Sequence, residues 1–197
     1  MVKRENHQEN LINDRSSRKE FLSLTEKFSI FSHLLVDIIE RYNLKQSTEV
    51  QLTENQFLIL KILYVSRPKI LKEIAEILSI SNAAASKNIN FLVNKKFVSR
   101  KMITFNRRTV KIMLLERGKS VVRNYFKIRE EKMKSILKNL NEKQEVNLNL
   151  SLDNFIHACL SQEKNLSLFC LQCGGKYEER CPISKHVLGC YFQLQKS

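Results

Sequence analysis

Near Phe97 the hydrophobic period of the chain switches from three-to-four residues to two, directly after two short helical patterns split by a three-residue break. The first helical pattern runs from Ile70 to Leu78 and contains Lys72-Glu73-Ile74-Ala75-Glu76-Ile77-Leu78. Ser79-Ile80-Ser81 forms the break, and the second pattern runs from Asn82 to about Lys95. Ser81 is suited to cap the second helix, because a serine oxygen accepts from the otherwise unpaired amides of the first turn. Ala75 is small enough for two helices to cross closely, Ile80 fills the turn, and Ile89 and Leu92 point toward a core. Phe97–Ile103 and Thr109–Leu114 then alternate as short strands, with Thr104-Phe105-Asn106-Arg107-Arg108 as a basic turn. Helix, tight turn, helix and basic hairpin in that order predict a winged helix-turn-helix.

Long amphipathic patterns flank this unit. From Glu20 to about Tyr42, apolar residues fall at Phe21, Leu24, Phe28, Phe31, Leu35, Ile38, Ile39 and Tyr42, a helical stripe longer than a small core needs. A polar break follows at Asn43–Glu49. Thr53 then stands three residues before Gln56, a capping box opening a helix with Phe57, Leu60, Ile62, Leu63 and Val65. Glu116 to about Leu140 and Glu142 to Leu160 read as two further helices. Only 4 Gly and 2 Pro punctuate the 197 residues, which suits a helical chain better than a turn-rich β one. The expected fold is mainly α with a small β-wing, carried between long N- and C-terminal dimerisation helices. Its divisions are a flexible arm at 1–19, a dimerisation helix at 20–50, the winged unit at 51–118, dimerisation helices at 119–165 and a cysteine-rich tail at 166–197.

The charge is concentrated where the wing is expected. The chain has 34 Lys+Arg against 20 Asp+Glu, a net +14, and between Lys87 and Lys119 ten basic residues face one acid, Glu116. A basic excess attracts a polyanion, nucleic acid or an anionic membrane surface, and its focus on one segment is what a nucleic-acid footprint requires. No apolar run approaches the roughly 20 residues that span a bilayer, and residues 1–20 lack a secretory h-region. The expected setting is cytoplasmic, without a membrane partner.

Leu52-Thr53-Glu54-Asn55-Gln56-Phe57, Glu73-Ile74-Ala75 with Ser79-Ile80-Ser81, Ser86-Lys87, and Leu114-Leu115-Glu116-Arg117-Gly118 occur in an order and spacing that resemble the MarR family of regulators, over roughly residues 20–160. The sequence departs from that family's pattern at Asn106 in the wing tip, at Lys96 where a glycine usually ends the recognition helix, and at Leu115 where a capping threonine is usual. The resemblance implies a homodimer acting as a repressor, with two recognition helices in successive major grooves of a pseudo-palindromic operator, about 34 Å apart. Ser81, Asn82, Ala83, Ala84, Ser86, Lys87 and Asn90 form the face expected to meet DNA. Asn reads adenine edges and Ala the thymine methyl, whereas Lys87, Lys95 and Lys96 suit phosphates. Arg107 or Arg108 suits a narrow minor groove.

Beyond Leu160 the resemblance stops and the chemistry changes. Cys170, Cys173, Cys181 and Cys190 follow a C-x2-C-x7-C-x8-C pattern, four cysteines within 21 residues against one in the preceding 169. Four thiolates suit an iron–sulfur cluster, preferred here as a four-iron, four-sulfur centre, or alternatively a structural zinc. Cys-x-x-Cys-Gly looks like a zinc knuckle. Cys181-Pro182 favours a cluster, and Cys170–Ile183 resembles the cluster loop of SoxR-type redox regulators, with Gly175 in place of that family's middle cysteine. Cys159 reads as a buried core residue, and His157 and His186 as surface or core histidines rather than ligands. The preferred function is a DNA-binding regulator sensing redox, oxygen or metal status. The alternative is a regulator of a small lipophilic ligand with a structural zinc tail. A thiol–disulfide oxidoreductase is disfavoured, because a redox CxxC normally sits near a βαβ pattern absent here, so the chain is not expected to be an enzyme.

Overall fold

The computed structural model describes residues 23–103, 106–162 and 167–171, together with Cys181 and Ile183; for Ile103 and residues 106–109 and 167–168 it describes the backbone alone. The chain divides into two compact units, Met1–Asn43 and Leu44–Ser197. In the first, α1 (residues 23–34) passes into a π-helical stretch, Leu35–Arg41. Arg41 pairs with Asp37 one turn earlier. Along this unit Leu24, Ile30, Phe31, Leu34, Val36 and Ile38 are exposed in the single chain.

Helix α2 (Tyr42–Ser47) occupies the region read from sequence as a polar break. Leu44 packs against the core and the Ser47 hydroxyl donates to the Leu44 carbonyl at 2.8 Å, so packing overrides the weak helical propensity of this polar stretch. Helix α3 (Glu54–Val65) begins with the expected capping box. The Thr53 hydroxyl accepts from the Gln56 N–H at 3.3 Å, and the Gln56 side chain accepts from the Thr53 N–H at 3.0 Å. Phe57, Ile59, Leu60, Ile62 and Leu63 are all buried, so α3 is surrounded rather than one-sided and forms the axis of the second unit.

Strand β1 (Lys69–Ile70), α4 (Leu71–Leu78), α5 (Asn82–Asn94), β2 (Val98–Ile103) and β3 (Asn106–Leu114) follow. The sheet is antiparallel in the order β1-β3-β2, with Lys69 opposite Ile112 and Val98 opposite Leu114. β1 was not anticipated, since two residues are too few to display a period. β3 also starts earlier than expected, so Arg107 and Arg108 lie within a strand and not in the turn. Met102 lies opposite Val110 but Ile103 opposite Asn106, so residues 107–109 fall in the register shift between those two pairs.

Helix α6 (Glu116–Leu137) packs its Val121, Val122 and Tyr125 on α3. The Phe57 and Tyr125 rings lie 4.5 Å apart. Between the helices Lys61 is buried, its Nζ 4.7 Å from the Tyr125 ring centre and 5.1 Å from that of Phe57, an arrangement of cation over π-face. Helix α7 (Glu142–Leu160) opens with a second capping box, Asn141 with Gln144. Much of α7 is exposed in the single chain, including Val146, Leu148, Leu150 and Phe155. Cys159 is exposed as well, contrary to expectation, while Leu160 is buried. Successive residues point about 100° apart on a helix, so an apolar neighbour does not place Cys159 on the inward face. The short α8 (Ser167–Cys170) lies against α4. Among the described residues, no helix is long and apolar enough to cross a membrane.

Candidate nucleic-acid interface

The helix-turn-helix is built around two residues in the left-handed backbone region. Helix α4 starts where the Glu73 carboxylate accepts from the Ile70 N–H at 2.7 Å, and it ends at Ser79, with φ 54°. The Ile80 N–H donates to the Ala75 carbonyl at 3.0 Å, closing the turn, and half-buried Ile80 packs inward. Ser81 then adopts extended backbone and its Oγ accepts from the Ala84 N–H at 3.1 Å, starting α5. At the other end the Phe97 N–H donates to the Leu92 carbonyl at 2.9 Å, and Lys96 reverses the chain with φ 57°. Lys96 therefore holds the conformation that favours glycine.

Ala85, Ile89 and Leu92 are fully buried and define the inward face of α5. Ser81, Asn82, Ala83, Lys87 and Asn90 are exposed, and Ala84 and Ser86 are half-buried. Asn82, Ala83, Ser86, Lys87 and Asn90 recur at helical spacing on the side away from the core, so the fold brings the expected reading residues onto one surface. Lys95 and Lys96 extend that surface at the end of the helix, both exposed. No acidic residue occurs between Ile77 and Leu115.

Three contacts invisible in the sequence tie the end of α5 to the wing and to the start of α6. Arg100 donates from Nη2 to Asn90 Oδ1 at 2.5 Å. Arg117 donates from Nη1 to the Lys95 carbonyl at 3.0 Å, with its guanidinium 5.0 Å from the Phe97 ring centre. The Phe97 carbonyl accepts from the Leu115 N–H at 3.0 Å. Gly118 makes this junction possible, because a Cβ there would lie 2.5 Å from the Phe97 oxygen and 2.6 Å from Leu114 Cδ1. Glu116, the acid bordering the basic surface, bonds Arg123 at 2.5 Å and Lys119 at 3.4 Å. The Arg123 hydrogen bond holds its carboxyl below the ordinary range, so it stays ionised and neutralised by its own helix.

Residues 52–110 match the model of the MarR family. That span takes in α3, the helix-turn-helix and most of the wing. Over 85 residues the chain is 29% identical to YpoP of Bacillus subtilis (strain 168), an uncharacterised HTH-type transcriptional regulator, covering 43% of this chain and 60% of that relative's length. RV1404 from Mycobacterium tuberculosis superposes with a TM-score of 0.61 at 26% identity, over 69% of this chain and 91% of its own. FabT of Streptococcus pneumoniae, solved in complex with DNA, superposes with a TM-score of 0.59 at 17% identity, over 73% of this chain and 99% of its own. The fold is a winged helix-turn-helix, as expected from the sequence.

Of the four tail cysteines, Cys170 is buried and Cys181 half-buried, while Cys173 and Cys190 lie outside the described residues, as does His186. Among the described residues, no three His, Cys, Asp or Glu side chains converge as metal ligands would.

Proposed function

We propose that this protein is a MarR-type transcriptional regulator that binds double-stranded DNA sequence-specifically as a homodimer and represses its target. The observation that carries this reading is the exposed, acid-free outer face of α5, seated beside a basic hairpin on a rigid core. FabT, the like-folded protein bound to DNA, supports the same use of the fold. The apolar residues left exposed on α1 and α7 support a second copy as their partner. In that reading Asn82, Asn90, Ala83 and Ala84 meet base edges, while Lys87, Lys95 and Lys96 meet phosphates.

Selection of bound duplexes from a random library, followed by footprinting, tests it. The expected result is an inverted repeat with half-sites one helical turn apart. A chain that enriches no sequence, or binds as a monomer, would overturn the reading.

The four-cysteine run supports a finer reading, in which Cys170, Cys173, Cys181 and Cys190 hold an iron–sulfur cluster that reports redox or metal status. Four thiolates suit either a cluster or zinc. Iron, zinc and acid-labile sulfide analysis of anaerobically purified protein separates the two. One zinc per chain without iron would replace the sensor with a structural metal.

A further inference from the structure

The described start of the C-terminal cysteine segment, residues 167–171, does not pack where its place in the chain suggests. It follows α7, yet α8 lies against α4, the first helix of the helix-turn-helix. Leu171 is completely buried and Cys170 is 4% exposed. Both belong to the same hydrophobic core as Ile74, Ile77 and Leu78 of α4, and Ile183, two residues beyond Cys181, packs against that core as well. The sulfur-bearing segment therefore supplies part of the floor on which the helix-turn-helix rests. Ile74, Ile77 and Leu78 are the residues that hold α4 in place, and α4 in turn sets the turn at Ser79 and the start of α5.

We propose that residues 167–171 act as a latch on α4, through which the chemical state of Cys170 sets the stability of the helix-turn-helix. In a packed core a residue and its neighbours are stabilised together, so whatever holds Cys170 and Leu171 in place also holds α4. A metal bound at Cys170 would replace its thiol proton, release that proton to solvent and keep the latch seated. Loss of the metal would leave the latch held by the core packing of Cys170, Leu171 and Ile183 without that added bond. The metal-dependent half of this inference rests on the proposed cysteine site; the latch itself rests only on the packing.

The test uses the full chain and two readouts. One is the rate at which N-ethylmaleimide labels Cys170, with exposed Cys159 as the internal reference; the other is amide exchange of Leu71–Leu78. In metal-free protein, Leu171→Ala is expected to raise Cys170 labelling and α4 exchange together, by roughly tenfold to a hundredfold, leaving α6 exchange unchanged. Leu171→Met, a milder change, should move both in the same direction by less, and serves if the alanine variant does not fold. Faster labelling with unaltered α4 exchange in both variants overturns the latch. Adding Zn²⁺ to wild-type protein is expected to slow both readouts in parallel. Zinc that binds and protects Cys170 while α4 exchange stays the same overturns the coupling but leaves the cysteine site standing. A chain that binds no zinc and cannot be reconstituted with iron and sulfide overturns the cysteine site instead, and the Leu171 variants still decide the latch.

Discussion

Arg100 of β2 donates a hydrogen bond to Asn90 of α5 across 2.5 Å, joining the wing to the helix proposed to meet DNA. Asn90 thus has an intramolecular partner on one side and an amide nitrogen to offer on the other. Both residues are exposed, so the contact contributes little stability, about 0.5–1.5 kcal/mol. Arg100→Ala should shift the unfolding midpoint only slightly while relaxing base preference at the positions Asn90 faces. Selection of bound sequences with the variant measures this, and an unchanged preference would show that the Arg100 contact does not orient Asn90.

Lys96→Gly separates two roles of one residue. The left-handed backbone at Lys96 costs a side-chain-bearing residue about 1 kcal/mol that glycine does not incur, so the variant should be more stable in denaturant titration by about that amount. If Lys96 neutralises a phosphate, the same variant should reduce the slope of log affinity against log salt by about one.

Gly118→Ala should do the opposite to stability. The added Cβ meets the Phe97 carbonyl, a backbone atom held in the Leu115 hydrogen bond, which cannot swing aside as a side-chain tip would. A loss of about 1–3 kcal/mol is expected from thermal or urea unfolding, with the wing displaced from α5.

Leu115 caps α6 with extended backbone but provides no side-chain acceptor. Leu115→Thr should add about 1 kcal/mol of stability by accepting from an amide of the first turn. A midpoint that stays the same would mean that water already satisfies that turn.

Glu116 has its folded pKa lowered by the Arg123 hydrogen bond. Its contribution is therefore present above the unfolded carboxylate pKa and is lost as pH falls through the folded one. Glu116→Gln should lower stability at neutral pH, only slightly because the group is exposed, and leave it unchanged in strong acid, so that unfolding midpoints measured across pH show a shallower acid limb.

Local chemistry made much of this protein legible from its residues. Thr53 and Gln56 announced the start of α3, Ser81 that of α5, and the inward positions Ile89 and Leu92 followed from helical period, because caps and periods involve groups within a few residues of each other. The same reasoning failed where the partner lies far along the chain. Lys69–Ile70 became a strand only because β3 runs beside it, and Arg107 and Arg108 lie in β3 at the register shift of the hairpin. The Asn43–Ser47 stretch became helical because Leu44 packs on the core. Cys159 faced outward because an apolar neighbourhood in sequence does not determine which face of α7 is buried.

The sequence by itself determined the order of the elements, the helix-turn-helix with its basic hairpin, and the confinement of positive charge to that segment, since propensity, capping and charge are properties of short stretches. Tertiary structure alone decided that Arg100 and Arg117 serve as struts for α5, that Gly118 sits against Phe97, and that α8 lies against α4. Those are relations between residues 10 to about a hundred positions apart, and only close packing of the folded chain brings such residues together.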